Sequence, residues 1–259
     1  MKKEMLALLL ENLNRHIPVV LTTVVESSGS APGRAGAKML VFADGKTHGT
    51  VGGGCLEGAV IEEARQALKR GQPRLGHYNL TEKEASGLGM ACGGKVTVFI
   101  EPFLPGPRLL IAGGGLIAQS LCPLAKNLGF EVSVLDDREE FANRDKFPQA
   151  DELLVGNIAE ILSKQDIHRQ VYVVIVTRGH HFDEAALEAV LPSAAAYIGM
   201  IGSRRKVEAI YSKLVQKGVK RSQLERVCAP IGLDIGGDTP EEIALSILAQ
   251  IQQVRYNKQ

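Results

Sequence analysis

The sequence contains too few cysteines, too widely spaced, for a disulfide-stabilised secreted scaffold. Only four occur among its 259 residues: Cys55, Cys92, Cys122 and Cys228. Cys55 and Cys92 do not form the CxxC pair of a zinc finger or a thioredoxin-type site, so neither class is supported. We therefore expect a cytoplasmic protein with free thiols, in which Cys122 and Cys228 pack in the core.

The chain also lacks an excess of charge and any long apolar run. Basic residues number 30 and acidic residues 29, and the net charge of +1 gives no reason to expect nucleic acid or an anionic membrane as a partner. No apolar run approaches the roughly 20 residues that span a bilayer. Glu11 interrupts the first apolar stretch and no small-residue cleavage site follows, which favours an amphipathic first helix over a signal peptide.

A dinucleotide-type fingerprint is present in residues 108–138, RLLIAGGGLIAQSLCPLAKNLGFEVSVLDDR. The segment predicts a buried strand, a glycine turn, a helix and a second strand that ends in an acidic residue. Gly113, Gly115 and Ala118 form the alanine-ended GxGxxA pattern, which lets a pyrophosphate approach the helix N-terminus. Asp136 follows 23 residues after Gly113, where a carboxylate accepts hydrogen bonds from a ribose. The alternative is an ordinary βαβ crossover whose glycines serve packing only.

Glycine-rich segments in the first half of the chain predict a second site. Residues 27–36 form a loop in which Gly29 and Ser30 suit an anionic or polar ligand, although a plain connecting loop is the alternative. A run of three glycines then precedes Cys55 at the start of a predicted helix over residues 56–70. The N-terminal end of a helix favours the thiolate form of a cysteine, whereas the alternative is a small buried apolar residue. The three glycines are Gly52, Gly53 and Gly54.

A second glycine-flanked cysteine lies in the same half. Cys92 is followed by Gly93 and Gly94, which lead into a predicted strand over residues 95–100. The similar surroundings of Cys55 and Cys92 predict that their two sulfur atoms converge on one pocket.

Polar residues follow two further strands of the second half. The apolar strand over residues 171–177 ends before His180, His181 and Asp183. We interpret Asp183 as a helix cap and the histidines as loop residues, either solvated or ligand-binding. Ser203 and Arg204, at the next helix start, carry cationic neighbours that suit a phosphate, with a solvated basic turn as the alternative.

A proline-rich linker at residues 102–107 divides the chain. We predict an N-terminal domain over residues 1–104 and a second domain over residues 105–259. The fold class is α/β, with a C-terminal Rossmann-like parallel sheet and a smaller N-terminal α/β domain.

The ordered set of motifs resembles the XdhC/CoxI family, the accessory factors of xanthine dehydrogenase and related molybdenum hydroxylases. One departure is Gly33, where the family's arginine is expected directly after the proline; Arg34 follows one position later, which puts a ligand role for that guanidinium in doubt. The matching segments are GSAPGRAGAKM, GTVGGGCLE, MACGG, AGGG, VLDDR, YIGMIGSRRK and IGLDIGGDTPEEIA.

The resemblance implies a chaperone-like function rather than turnover of a metabolite. Such proteins bind the molybdenum cofactor, a pterin with a dithiolene and a phosphate. They support its sulfuration by a cysteine desulfurase and its insertion into an apo-hydroxylase. Cys55 and Cys92 then become molybdenum ligands or sulfur carriers, the glycines beside them contact the cofactor, and a homodimer is expected.

Two alternatives from other classes remain. One is an NAD(P)-dependent oxidoreductase in which Asp136 binds the ribose, although no clear acid–base pair accompanies the fingerprint. The other is a nucleotide-sensing module in which Arg204 and Arg205 hold the phosphate.

Overall fold

The chain folds into two compact units, Met1–Pro105 and Gly106–Gln259. The structure is a computed structural model that describes residues 3–80 and 94–256. Each unit has its own sheet and its own hydrophobic core. The functional assignment of the two parts remains a prediction.

The first unit is an antiparallel sheet of five strands with helices packed on it. Its elements in chain order are α1 (Lys3–Asn14), β1 (Val19–Gly29), β2 (Lys38–Phe42), β3 (Thr47–Gly49), α2 (Gly54–Arg70), β4 (Arg74–Asn79) and β5 (Gly94–Phe103). The strand order in the sheet is β3-β2-β1-β5-β4.

The alternation of side chains along β1 explains how both faces of this sheet are covered. Val20 and Val24 point to one face and pack in a cluster with Leu56 and Val60 of α2. Val19 and Leu21 point to the other face and form a smaller cluster with Met5 and Leu9 of α1. The amphipathic first helix predicted from the sequence is confirmed.

Two features of this sheet differ from the sequence-based prediction. The loop predicted over residues 27–36 begins later than expected, because β1 continues through residues 27–29 and Gly29 pairs with Gly94 of β5. The strand β4 was missed, since RLGHYN lacks a clear apolar alternation. It forms at the sheet edge, where pairing with β5 holds it and only Gly76 is buried.

The second unit contains a six-stranded parallel sheet. Its elements are β6 (Arg108–Ala112), α3 (Leu116–Asn127), β7 (Glu131–Asp136), β8 (Glu152–Val155), α4 (Ile158–Lys164), β9 (Val171–Ile175), α5 (His180–Val190), β10 (Tyr197–Met200), α6 (Arg204–Gln216), α7 (Arg221–Leu224), β11 (Val227–Cys228) and α8 (Pro240–Arg255).

The strand order β11-β10-β9-β6-β7-β8 is that of a doubly wound fold. The order reverses between β6 and β9, whose carboxyl ends therefore border the crevice in which such sheets bind ligands. Separate apolar clusters cover the two faces of the sheet, which explains why β9 and residues 109–112 of β6 are apolar. The predicted Rossmann-like α/β domain is confirmed.

The last helix begins as its sequence predicts. The Thr239 hydroxyl accepts a hydrogen bond from the Glu242 N–H, and the Glu242 carboxylate accepts one from the Thr239 N–H. This reciprocal pair is a capping box, with Pro240 at the first helical position. Within residues 3–80 and 94–256, no helix combines the length and the apolar character needed to cross a bilayer.

Candidate functional site

The turn after β6 has the tight geometry that the fingerprint predicts. Gly113 has a φ of 113°, and a Cβ atom there would lie 2.5 Å from the Val176 carbonyl oxygen that follows β9. A Cβ atom at Gly115 would meet no atom within 4 Å, so open space adjoins the first turn of α3. No side chain caps that helix start. The turn therefore leaves room for a ligand at Gly115.

Asp136, the predicted ribose ligand, is engaged by the protein itself. Its side chain is buried, and Oδ2 accepts a hydrogen bond of 2.8 Å from the Gly114 N–H. Oδ1 accepts from the Arg138 N–H at 3.1 Å and from Arg138 Nε at 3.0 Å. Burial raises the pKa of Asp136, but the hydrogen bonds from Arg138 and Gly114 outweigh burial and leave the pKa below its ordinary value. Ribose binding by Asp136 stays a prediction, and this geometry weighs against it.

The middle glycine of the turn contacts the chain rather than open space. A Cβ atom at Gly114 would collide with the Phe141 carbonyl oxygen. The Phe141 ring lies under the Arg138 guanidinium, whose carbon is 3.6 Å from the ring centroid. The segment after β7 therefore folds back over the fingerprint turn.

Asp183 does not cap a helix, which corrects the prediction. Helix α5 begins at His180 with Gly179 as its N-cap, so Asp183 lies within its first turn. The carboxylate is fully buried, accepts a 2.7 Å hydrogen bond from the Thr177 hydroxyl and forms a close ion pair with Lys206 Nζ. Asp183 thus joins the end of β9 to α6. His180 and His181 lie at the helix start rather than in a loop, and both are exposed.

Ser203 and Arg204 lie at the start of α6. The Ser203 hydroxyl accepts a hydrogen bond from the Lys206 N–H and serves as the N-cap. Both residues line a cavity of about 560 Å³ whose described lining does not include Gly113, Gly115 or Asp136. The structure therefore does not bring the predicted nucleotide-binding residues together in this cavity.

In the first unit, the loop after β1 closely approaches Gly52 of the triple-glycine run and Gly94 at the start of β5. A Cβ atom at Gly52 would lie 2.7 Å from the Gly33 nitrogen, and one at Gly94 would lie 2.7 Å from the Ala31 nitrogen. Residues 31–33 are thus held between the triple-glycine loop and the start of β5. Gly33 itself is buried against the Val51 carbonyl oxygen, which leaves no room for the family's arginine, while Arg34 is exposed.

A carboxylate that sequence reasoning missed organises the triple-glycine loop. Glu57 Oε1 accepts hydrogen bonds from the Gly53 N–H at 3.0 Å, from the Val51 N–H at 3.3 Å and from the Thr50 hydroxyl. The Thr50 oxygen in turn accepts from the Gly52 N–H at 3.1 Å. The signal in the sequence was a threonine before the glycines and a glutamate in the first turn of the following helix.

Cys55 lies in this loop-to-helix junction. It is the second residue of α2, is a half-buried free thiol, and follows Gly53, an N-cap without a side-chain hydrogen bond. The three preceding glycines all have positive φ, of 136°, 81° and 60°, a conformation that side chains other than glycine rarely adopt.

The remaining predicted residues are placed as follows. Gly29 ends β1 with a φ of 71°, and Ser30 is exposed beside it. Cys92 and Gly93 lie outside the described residues, so convergence of Cys92 with Cys55 stays a prediction. Among the residues that are described, no group of three or more His, Cys, Asp or Glu side chains is placed to hold a metal ion. Cys122 is buried in the core and Cys228 packs against it, as predicted.

Two family models match the chain. Residues 109–251 match the XdhC Rossmann domain, and residues 13–79 match the XdhC and CoxI family.

Curated relatives cover most of the chain. The uncharacterised protein YqeB of Escherichia coli is 38% identical over 94% of this chain, which spans only 44% of the length of YqeB. A protein of Bacillus subtilis named as a probable xanthine dehydrogenase subunit is 24% identical over 91% of this chain and 93% of its own length. The molybdenum cofactor insertion chaperone PaoD of Escherichia coli is 25% identical, over 93% of this chain and 84% of its own length.

A solved structure has the same fold. It is described as a xanthine dehydrogenase from Bacillus halodurans and is 24% identical, with a TM-score of 0.54 over 97% of this chain and 96% of that chain. Because the Rossmann-domain model alone matches more than half of the residues, the chain belongs to the XdhC family.

Proposed function

We propose that this protein binds the molybdenum cofactor as cargo and supports its insertion into a molybdenum hydroxylase of the xanthine dehydrogenase type. Membership of the XdhC family supports the proposal, as does similarity to a relative named as a molybdenum cofactor insertion chaperone. The observation that carries it is the close approach of Gly52, three residues before Cys55, to Gly33, together with the close approach of Gly94 to Ala31.

The chemistry of that junction suits the cargo. A cysteine sulfur is a soft ligand that matches molybdenum or a transferable sulfur, and Cys55 places a free thiol at the start of α2. Glycine loops let backbone N–H groups approach a phosphate such as that of the pterin. In this proposal Cys55 and Cys92 are molybdenum ligands or sulfur carriers, and the glycines around them contact the pterin.

The proposal extends to partners. An apo-hydroxylase receives the cofactor, and a cysteine desulfurase supplies the sulfur for its sulfuration. A homodimer is the proposed form of the protein.

The test is the ligand content of protein purified from a host replete in molybdenum. We expect molybdenum and pterin fluorescence in the wild type and a loss of about tenfold or more in Cys55→Ser, since a lost metal ligand weakens binding strongly. Cys228→Ala, which alters a thiol of the other unit, is the matched control and retains both signals. Loss of thiol reactivity in Cys55→Ser with unchanged cofactor content would favour sulfur transfer over metal ligation.

Two results would contradict the proposal. If the Cys55→Ser/Cys92→Ser variant keeps full cofactor binding and full maturation of the hydroxylase, neither cysteine has the proposed role. If the wild type takes up no cofactor at all, the cargo assignment itself is wrong.

A second candidate is an NAD(P)-dependent oxidoreductase. The open space at Gly115 favours it, since a pyrophosphate would approach the chain there. Against it, the Asp136 carboxylate is already bonded to Gly114 and Arg138. Hydride transfer from NADH to an acceptor would support this candidate, and absence of NAD(H) binding would exclude it.

A further inference from the structure

A cavity at the carboxyl edge of β10 and β11 is separate from the junction around Cys55. It has a volume of about 560 Å³, within the range of small-molecule sites. Its walls come from residues 201–204, from residues 230–234 and 236–237, and from Ile243 and Ser246 of α8. The carboxyl edge of a parallel sheet is where α/β folds bind ligands.

A partly buried network of hydrogen bonds fixes one wall of this cavity. The Gln250 side-chain oxygen accepts a 2.6 Å hydrogen bond from the Tyr197 hydroxyl and a 3.0 Å bond from the Gly232 N–H. The Gln250 amide nitrogen donates to the Gly232 carbonyl at 3.3 Å. Tyr197 is only 3% exposed, and burying such groups is unfavourable unless they are bonded. The network holds the backbone at Gly232, where a Cβ atom would collide with Ser246 Oγ.

The other end of the same wall is held as well. Glu242 accepts hydrogen bonds of 3.0 Å from the N–H groups of Asp238 and Thr239. Gly236, between the two anchors, has a φ of 82° and no atom within 4 Å of a Cβ position. The wall is therefore anchored at both ends and open in the middle, which reduces the entropy lost when a ligand binds.

The lining side chains supply three kinds of contact. Arg204 is exposed and forms no ion pair with any described residue, so its guanidinium is free to bind an anion. Asp234 adds an acceptor for a hydroxyl or a ring N–H group. Apolar contact comes from Ile201, Ile231 and Ile243. The cation suits a phosphoryl group, and the acceptor suits a sugar hydroxyl or a ring N–H group. The apolar wall suits a flat heterocycle.

We propose that this cavity binds a phosphorylated heterocycle of mononucleotide size, with Arg204 on the phosphoryl group. A nucleoside monophosphate and a phosphorylated pterin share this chemistry, and the experiment separates them. The inference concerns the second unit alone and does not depend on the function proposed for Cys55.

The test is calorimetric titration of the full chain at low ionic strength. The probes are 5′-AMP, 5′-GMP, 6-hydroxymethylpterin phosphate, adenosine and inorganic phosphate. We expect saturable binding of at least one phosphorylated heterocycle, with adenosine and phosphate each weaker by about tenfold or more, because each lacks one of the contacts. The phosphorylated probe with the lowest Kd shows whether the cavity prefers a nucleoside monophosphate or a phosphorylated pterin.

Variants locate the site. Arg204→Gln lowers the affinity by about tenfold, since a charge-assisted contact is lost. Arg205→Gln, which removes the same charge one residue away and outside the lining, leaves the affinity within about twofold. Both positions are exposed, so both variants are expected to fold, and their thermal unfolding temperatures check this.

Three results would overturn the inference. These are no saturable binding of any phosphorylated probe, equal affinity for adenosine and 5′-AMP, and unchanged affinity in Arg204→Gln. The two proposals can fail independently. If Cys55→Ser loses its cofactor content but keeps its affinity for the phosphorylated probes, the inference about this cavity still stands.

Discussion

At the scale of single residues, the Asp136 carboxylate stabilises the backbone at the carboxyl end of the parallel sheet. Asp136 ends β7, yet its hydrogen bonds reach the Gly114 N–H in the fingerprint turn and the Arg138 guanidinium. A buried N–H group without a partner costs about 1–3 kcal/mol, so Asp136 stabilises the turn that it bonds.

The pH dependence of stability tests this role. The pKa of Asp136 is below its ordinary value, so the stabilisation is complete above about pH 4 and is lost as the pH falls through the lowered pKa. We expect Asp136→Asn to lower the free energy of unfolding by about 1–3 kcal/mol at pH 7 and to flatten its fall below pH 4. Urea unfolding between pH 3 and pH 7 measures both. Asp166→Asn, at an exposed site, is the control, and equal slopes for the two variants would contradict the prediction.

The described cysteines are expected to differ in reactivity. Burial raises the pKa of Cys122 to about 11 and also raises the pKa of Cys228. Only the thiolate reacts with an alkylating reagent. In a Cys92→Ser background at pH 8, iodoacetamide should therefore label Cys55 first, as read by peptide mass spectrometry. Labelling of Cys122 at the same rate as Cys55 would refute the expectation.

At the scale of elements, Asp183 connects β9, α5 and α6. Its carboxylate is fully buried between the Thr177 hydroxyl and Lys206 Nζ. Breaking a buried ion pair leaves an uncompensated charge, and Asp183→Ala should cost about 3–5 kcal/mol of unfolding free energy. Glu188→Ala breaks the exposed pair with Lys217 and should cost at most about 1 kcal/mol. Similar losses in chemical denaturation of the two variants would show that burial does not decide the difference.

The triple-glycine loop depends in the same way on Glu57. Glu57→Ala removes the acceptor of three hydrogen bonds, so the loop before Cys55 loses its anchor. We expect faster hydrogen exchange at residues 51–53 and a loss of about 1–3 kcal/mol in stability. Glu57→Gln keeps an acceptor oxygen and should preserve much of the protection. If the alanine variant exchanges as slowly as the wild type, Glu57 does not hold the loop.

At the scale of the whole molecule, charge is nearly balanced. With 30 basic and 29 acidic residues, the net charge of +1 gives no overall attraction for a polyanion. We expect fluorescence anisotropy to show no binding of duplex DNA at physiological salt and little change on lowering the salt. Tight binding with a steep salt dependence would contradict this expectation.

The chain-local features of the fold were predictable from the sequence. The fingerprint turn, the capping box at Thr239 and the apolar strands β6 and β9 depend on residues close together in the chain. Steric limits on φ, capping hydrogen bonds and hydrophobic periodicity act over a few residues. The local sequence pattern is therefore enough to predict the turn, the capping box and the strands. The edge strand β4 was not predictable, because its pairing with β5 rather than its own pattern makes it a strand.

By itself, the sequence determined the Rossmann-type unit, the glycine turns and the ordered motifs of the XdhC family. The tertiary structure decided which groups meet. It packed Gly94 against Ala31, directed Asp136 to Gly114 and placed Arg204 in the lining of one cavity with residues 230–234. Strand order and register bring these distant segments together, and no local pattern encodes a contact between residues so far apart in the chain.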